Sequence, residues 1–311
     1  MEERFRKLLK RADRAFGAKP VSDAVGKVRA IIGLAKFPPG EELAEEAMNA
    51  LRNGEVPTPK QLAALERMIN LMRPAPLCRG GVLDDLPDYN DYNAEAIEQW
   101  EKFRNNVQPF MYSIGRIDSA TGEGIGTGFL VRPTLLVTNR HVLSQLSNGA
   151  EMLEEGQVVV RFKQEFGLPD DDPPVPVTGV VAVHSHLDIA LLSVKETKPR
   201  RPLVLDSAVM DEGHPVAAVG YPFDDPVRNP DFIDVIYGDK FGVKRAAPGE
   251  VVGLGPSSVY HDCSTLGGNS GSPLFSMESA QVIGLHRSGF FMYRNEAVDG
   301  PSLNEFVSRN L

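Results

Sequence analysis

Between residue 1 and about residue 72 the apolar side chains recur at helical spacing. Phe5, Leu8, Leu9 and Ala12 fall at i, i+3, i+4 and i+7, and Val21, Val25, Val28 and Ile31 with Ile32 continue the pattern. Pro38-Pro39-Gly40 ends the second helix, Glu41 to Leu51 carries a third, and Pro57-Thr58-Pro59 introduces a fourth running to about Met72. Residues 1–72 therefore predict an all-α helical bundle of about four members. Residues 73–93, rich in Pro, Asp, Gly and Tyr, read as a linker, and Ala94 to Asn105 as a connecting helix, so that 73–106 separates two folding units.

From Val107 the texture changes to short β-prone runs divided by Gly, Pro and Asp. They fall at 107–116, 125–131, 135–138, 157–163, 175–183, 189–194, 216–220, 233–237, 249–253, 273–276, 281–285 and about 289–293. Many short strands without intervening helices predict an all-β antiparallel barrel or sandwich over 107–311. There are no internal repeats and no low-complexity tract.

Three segments carry candidate chemistry. Thr265-Leu266-Gly267-Gly268-Asn269-Ser270-Gly271-Ser272-Pro273 sets one serine in a glycine-dense turn. A hydroxyl becomes nucleophilic when a base takes its proton, and the tetrahedral oxyanion that follows needs preorganised donors, here the N–H groups of Gly268 and Ser270. Leu135-Leu136-Val137-Thr138-Asn139-Arg140-His141 ends an apolar run on a histidine, the candidate base. Val183-His184-Ser185-His186-Leu187-Asp188-Ile189-Ala190-Leu191 embeds one aspartate at the head of a strand. A carboxylate there is costly to bury without a partner, and an imidazole Nδ1–H is the partner that would hold the base in its reactive tautomer. Taken singly, each segment also fits a plain structural role: a glycine turn, a packed histidine, a strand-capping aspartate.

Together, in the order His141, Asp188, Ser270, the segments resemble the trypsin-like (chymotrypsin-fold) serine peptidases, in which histidine precedes aspartate and aspartate precedes serine. The resemblance covers roughly 107–311 and is nearest to the bacterial branch of glutamyl endopeptidases and HtrA-like proteases. It implies two β-barrels joined through Lys195 to Pro202, with His141 and Asp188 in the first, Ser270 in the second, and a closing helix over Ser302 to Leu311. It also implies that Ser264 and Thr265, together with the run through His286 and Arg287, line the specificity pocket. Ser264 stands where trypsin carries its pocket aspartate. Thr265 and His286 match a threonine and a histidine of glutamyl endopeptidases, so an acidic or polar side chain is expected before the cleaved bond; a purely structural His286 is the alternative. Asn269 stands where animal digestive relatives carry the acidic residue that pairs with a new N-terminal amine, so the resemblance does not extend to that mode of activation.

Charge and cysteine content narrow the setting. With 33 Lys and Arg against 42 Asp and Glu the net charge is −9, which speaks against a nucleic-acid partner and for solubility. Cys78 and Cys263 alone do not make a disulfide framework. The charged start Met1-Glu2-Glu3-Arg4-Phe5-Arg6 lacks the apolar core of a secretory signal, and no apolar span has bilayer length, so no membrane partner and a cytoplasmic location are expected. A protease there needs restraint. The helical unit resembles, in arrangement, the effector-associated or death-fold-like adaptor domains of bacterial conflict systems. That resemblance implies a homotypic or heterotypic partner for residues 1–72 and a recruited protease in antiviral defence or signalling. No cofactor or metal is expected: His184-x-His186 near Asp170-Asp171-Asp172 is better read as solvated positions and an exposed loop. The sequence thus predicts a serine endopeptidase of protein substrates, with a catalytically inactive peptidase-fold scaffold as the alternative.

Overall fold

The computed structural model describes residues 3–17, 19–33, 37–88, 92–169, 171–196, 198–225, 233–290 and 294–311. The N-terminal region is helical: α1 (Glu3–Phe16), α2 (Val21–Ala24), α3 (Gly26–Ile32), α4 (Glu41–Arg52) and α5 (Pro59–Leu71). The stripe on α1 turns Phe5, Leu8, Ala12 and Phe16 inward, where they join Met48, Leu51, Leu65 and Met68 in a core of their own. The predicted second helix is two, because Val25 closes α2 and opens α3 just ahead of Gly26, a poor helix former. At α5, Thr58 and Gln61 cap each other reciprocally and Pro59 takes the first helical position.

The stretch expected as a linker is bound down. Strands β1 (Cys78–Arg79) and β2 (Val82–Leu83) form a small hairpin whose two loop residues, Gly80 and Gly81, have φ of 60° and 75°. Just before it the chain runs against the second barrel: Cys78 N–H donates to Lys244 O at 2.9 Å and Ala246 N–H to Pro76 O at 3.0 Å. Helix α6 (Ala94–Val107) follows and passes into a 3₁₀ turn over Gln108–Ser113. The strand expected from 107 therefore begins at Ile114; Val107, Phe110 and Met111 are buried at i, i+3, i+4, which is helical spacing.

Two closed six-stranded barrels follow. The first contains β3 (Ile114–Ser119), β4 (Gly124–Arg132), β5 (Leu135–Thr138), β6 (Val158–Arg161), β7 (Val175–Val183) and β8 (Ala190–Val194), in the order β3-β4-β5-β8-β7-β6. Helix α7 (Arg140–Leu146) caps β5. The second contains β9 (Pro215–Gly220), β10 (Arg245–Gly255), β11 (Ser258–His261), β12 (Pro273–Ser276), β13 (Val282–Phe290) and β14 (Arg294–Asp299), in the order β10-β11-β14-β13-β12-β9. Helices α8 (Ile233–Tyr237) and α9 (Gly300–Arg309) accompany it. All these pairings are antiparallel, giving the chymotrypsin-like architecture.

The run at 233–237 is helix rather than strand, since Ile233, Ile236 and Tyr237 are the buried residues and their spacing is helical. The runs at 281–285 and 289 onward are one strand through Phe290, and 291–293 lie outside the described residues. Strand β14 escaped the sequence pattern because it turns polar Asn295 inward along with Ala297. One apolar cluster spans both barrels and α6, with Phe103 edge-on to Phe275 at 6.0 Å between ring centroids. Among the described residues no helix is long and apolar enough to cross a membrane.

Candidate active site

Strand β5 delivers its last residues to a turn at Asn139, and α7 starts one residue before His141, which fixes the imidazole at the barrel mouth. The loop before β8 brings Asp188 to it. Both carboxylate oxygens are engaged: Oδ1 accepts His141 N–H at 2.9 Å, and Oδ2 stands 2.7 Å from His141 Nδ1. With the proton on Nδ1, Nε2 is left as the proton acceptor. The loop itself is braced. Asn139 Nδ2 donates to Asp188 O at 2.9 Å, and His184 Nδ1 accepts the N–H groups of His186 and Leu187 at 3.0 and 2.9 Å. His184 therefore serves the loop as an acceptor, and burial lowers its pKa.

The serine arrives from the second barrel, on an irregular stretch between β11 and β12. Thr127 of β4 ties this stretch to the first barrel: its N–H donates to Ser270 O at 2.8 Å and its hydroxyl to Gly268 O at 2.7 Å. The approach is close enough that a Cβ on Gly271, at φ +87°, would lie 1.9 Å from Thr127 O. Gly268 has φ +86°, and a Cβ there would lie 2.3 Å from Tyr221 O. Among the described residues the N–H groups of Gly268 and Ser270 donate to no backbone or side-chain acceptor, so both are open to a ligand oxygen. Ser270 Oγ donates to Arg287 O at 3.4 Å, a long and weak bond, and no hydrogen bond joins it to His141 among the described residues. Catalytic hydrogen bonds are often long or unformed in the absence of substrate.

The expected pocket residues lie together around the same stretch, with contacts the sequence did not reveal. Thr265 Oγ1 donates to Asn295 Oδ1 at 2.8 Å, and Asn295 Nδ2 donates to Cys263 O at 2.6 Å. Ser264 Oγ is turned away to Arg73 O at 2.8 Å. The Arg287 guanidinium is spent on Glu296 and Ser258, so it offers no free positive charge. His286 Nδ1 faces His261 Nε2 at 3.1 Å, and both rings are buried. Burial drives the His261 pKa down to about 4, and burial together with His261 and His141 drives that of His286 well below 6.5. Both are neutral imidazoles near neutral pH. Among the described residues His261 Nδ1 is buried without a partner. An orphan acceptor is better tolerated there than an orphan N–H, so the proton belongs on His261 Nε2, bonded to His286 Nδ1. His286 Nε2–H is then the free donor of the pair.

Asn295, His261 and Thr127 were the residues sequence reasoning missed. Only Thr127, inside Gly126-Thr127-Gly128, carried a local signal, a polar residue between glycines in a strand. Of the other titratable groups, His214 bonds Ser276 at 2.8 Å, and Asp172 is buried against Arg200 and Lys198 rather than exposed. Asp171 pairs with Lys163 at 3.2 Å, and Asp170 lies outside the described residues. Among the described residues no group of three or more His, Cys, Asp or Glu could hold a metal ion.

The two closed antiparallel barrels define a fold class, and the sequence agrees. Residues 126–285, just over half of the chain, match the family described as trypsin-like peptidase domain; the chain belongs to that family. Among solved structures, it is similar to the Rv3671c protease in its inactive form, with 22% identity over 66% of this chain and 93% of that one and a TM-score of 0.47. The inactive form of a serine-to-alanine mutant of Rv3671c from Mycobacterium tuberculosis is similar at 22% identity, 66% and 91% coverage, and a TM-score of 0.46.

Proposed function

We propose that the protein is a serine endopeptidase acting on protein substrates. The observation that carries this reading is the double hydrogen bond between His141 and Asp188, which leaves Nε2 as the base beside a loop whose Gly268 and Ser270 amides are unengaged. Ser270 Oγ attacks the scissile carbonyl while its proton passes to His141 Nε2. The oxyanion is met by Gly268 and Ser270 N–H, and collapse gives the proton to the leaving amine and leaves an acyl-enzyme. Water, deprotonated by the same imidazole, hydrolyses it. Asp188 orients the ring through its two hydrogen bonds.

The pocket favours a side chain bearing a hydrogen-bond acceptor, glutamate or glutamine, because His286 Nε2–H is its free donor and Arg287 is already paired. Arg or Lys would find no counter-charge at Ser264. The helical unit recruits this protease in a cytoplasmic defence or signalling role. A fluorophosphonate tests the chemistry: the intact protein is labelled and Ser270→Ala is not. Absence of labelling of the intact protein refutes the endopeptidase and leaves the inactive scaffold. Cleavage of a peptide library dominated by Lys or Arg before the bond refutes the pocket assignment.

A further inference from the structure

The wall of the pocket is held from behind by the helical unit. Asp262 is the first residue after β11 and stands two and three residues before Ser264 and Thr265. Its side chain is fully buried. Oδ2 accepts from Arg11 Nε of α1 at 2.9 Å and from Arg73 at 3.0 and 2.7 Å, while Oδ1 accepts Glu250 N–H at 2.8 Å. Arg11 also donates to Asn70 Oδ1 at 2.9 Å, and Glu250 takes both Arg14 and Arg73. Burial alone would raise the Asp262 carboxyl, yet the two guanidiniums hold it down at about 2. One buried carboxylate thus joins α1, the end of the helical unit and β10 to the chain segment that leads to Ser270.

That segment, residues 262–272, has no strand ladder to fix it. Its first part is held by side chains, Asp262 to Arg11 and Arg73, Ser264 to Arg73 O, and Thr265 and Cys263 O to Asn295, whereas residues 267–272 are bonded to Phe223, Thr127 and His286. In that first part the anchors at Asp262 and Ser264 come from the helical unit and the residue that follows it. Among the described residues none of 3–73 makes a hydrogen bond or ion pair with His141, Asp188 or Ser270.

We propose that Arg11 and Arg73 are positioning residues for the specificity wall, so that the docked helical unit is a working part of the substrate pocket. This rests on the endopeptidase reading. Removing one guanidinium leaves Asp262 buried with half its compensation, and the wall shifts to rehydrate it. A shift of about 1 Å in a positioning contact can cost up to about a hundredfold in rate. Ser270, its base and its oxyanion amides are held by Thr127 and by the first barrel and do not depend on this clamp.

The test uses the full chain with Arg11→Met, Arg73→Met and the rescue variant Arg73→Lys. Two rates are compared in each: labelling of Ser270 by a small fluorophosphonate, which has no side chain for the pocket, and turnover of the peptide that wild type cleaves fastest in a quenched-fluorescent library randomised before the scissile bond. The expected result is labelling within about threefold of wild type, with peptide kcat/KM reduced at least about tenfold through KM and partly restored by Arg73→Lys. If either Met variant fails to fold, Arg11→Lys, which keeps a charge for Asp262 but not the planar fork that also reaches Asn70, must show the same split in smaller measure. Unchanged peptide kinetics, or equal losses in both rates, overturn the proposal while leaving the endopeptidase intact. A wild type that is not labelled removes both together.

Discussion

The buried histidine pair makes the stability of the second barrel depend on acid in a way that can be calculated. His261 keeps a neutral ring in the folded protein down to about pH 4, whereas in the unfolded chain it protonates near 6.5. Below 6.5 the unfolded state binds the extra proton, so stability falls with acidity; the contribution is complete above pH 6.5 and lost as pH drops toward 4. The slope is about 1.4 kcal/mol per pH unit for one such ring, and the fall from 6.5 to about 4 amounts to about 3 kcal/mol. His286, lowered further by burial and by His261, adds a term of the same sign. The measurement is urea unfolding followed through Trp100, the only tryptophan and a buried one, at several pH values between 7.5 and 4.5. In His261→Gln, which keeps a donor for His286 Nδ1 but cannot titrate, the pH slope between 6 and 4.5 is expected to flatten by about 1.4 kcal/mol per unit. Parallel slopes in the two proteins, or a His261 resonance titrating near its ordinary value, refute the reasoning and with it the tautomer assigned to His286.

Two further expectations concern the glycine turn around Ser270 and the helical unit. In Gly268→Ala the new methyl meets Tyr221 O at 2.3 Å and the Phe223 ring at 2.5 Å, so the Gly268 amide must move; fluorophosphonate labelling is expected to slow about a hundredfold to a thousandfold. Gly267→Ala, where a Cβ has no neighbour within 4 Å, is the control, and equal rates in the two variants contradict the oxyanion role. On the helical unit Ile31 is 62% and Val56 is 70% exposed. If residues 1–72 recruit a partner through these side chains, Ile31→Glu and Val56→Glu reduce its co-purification with labelling of Ser270 unchanged, and retention of the partner in both contradicts recruitment through them.

Local chemistry made much of the protein legible in advance. The amphipathic stripe over Phe5, Leu8 and Ala12, the Pro-Thr-Pro start of α5 and the strands at 135–138, 175–183 and 273–276 are set by periods and breakers that act within a few residues. The His141 and Asp188 segments stood out as a histidine ending an apolar run and an aspartate heading a strand, and the structure joins them by two hydrogen bonds. Tertiary structure decided the rest. Whether Val107 to Ser113 continued a helix, and whether polar β14 was a strand, depended on which partners covered them. Nothing near Asn295 in sequence announces Thr265, and nothing near Arg11 announces Asp262, 251 residues away. Buried charge and buried amide hydrogen bonds are satisfied by whatever the fold brings alongside, so the Thr265–Asn295 contact and the ion pairs of Asp262 with Arg11 and Arg73 became readable only once the chain had closed on itself.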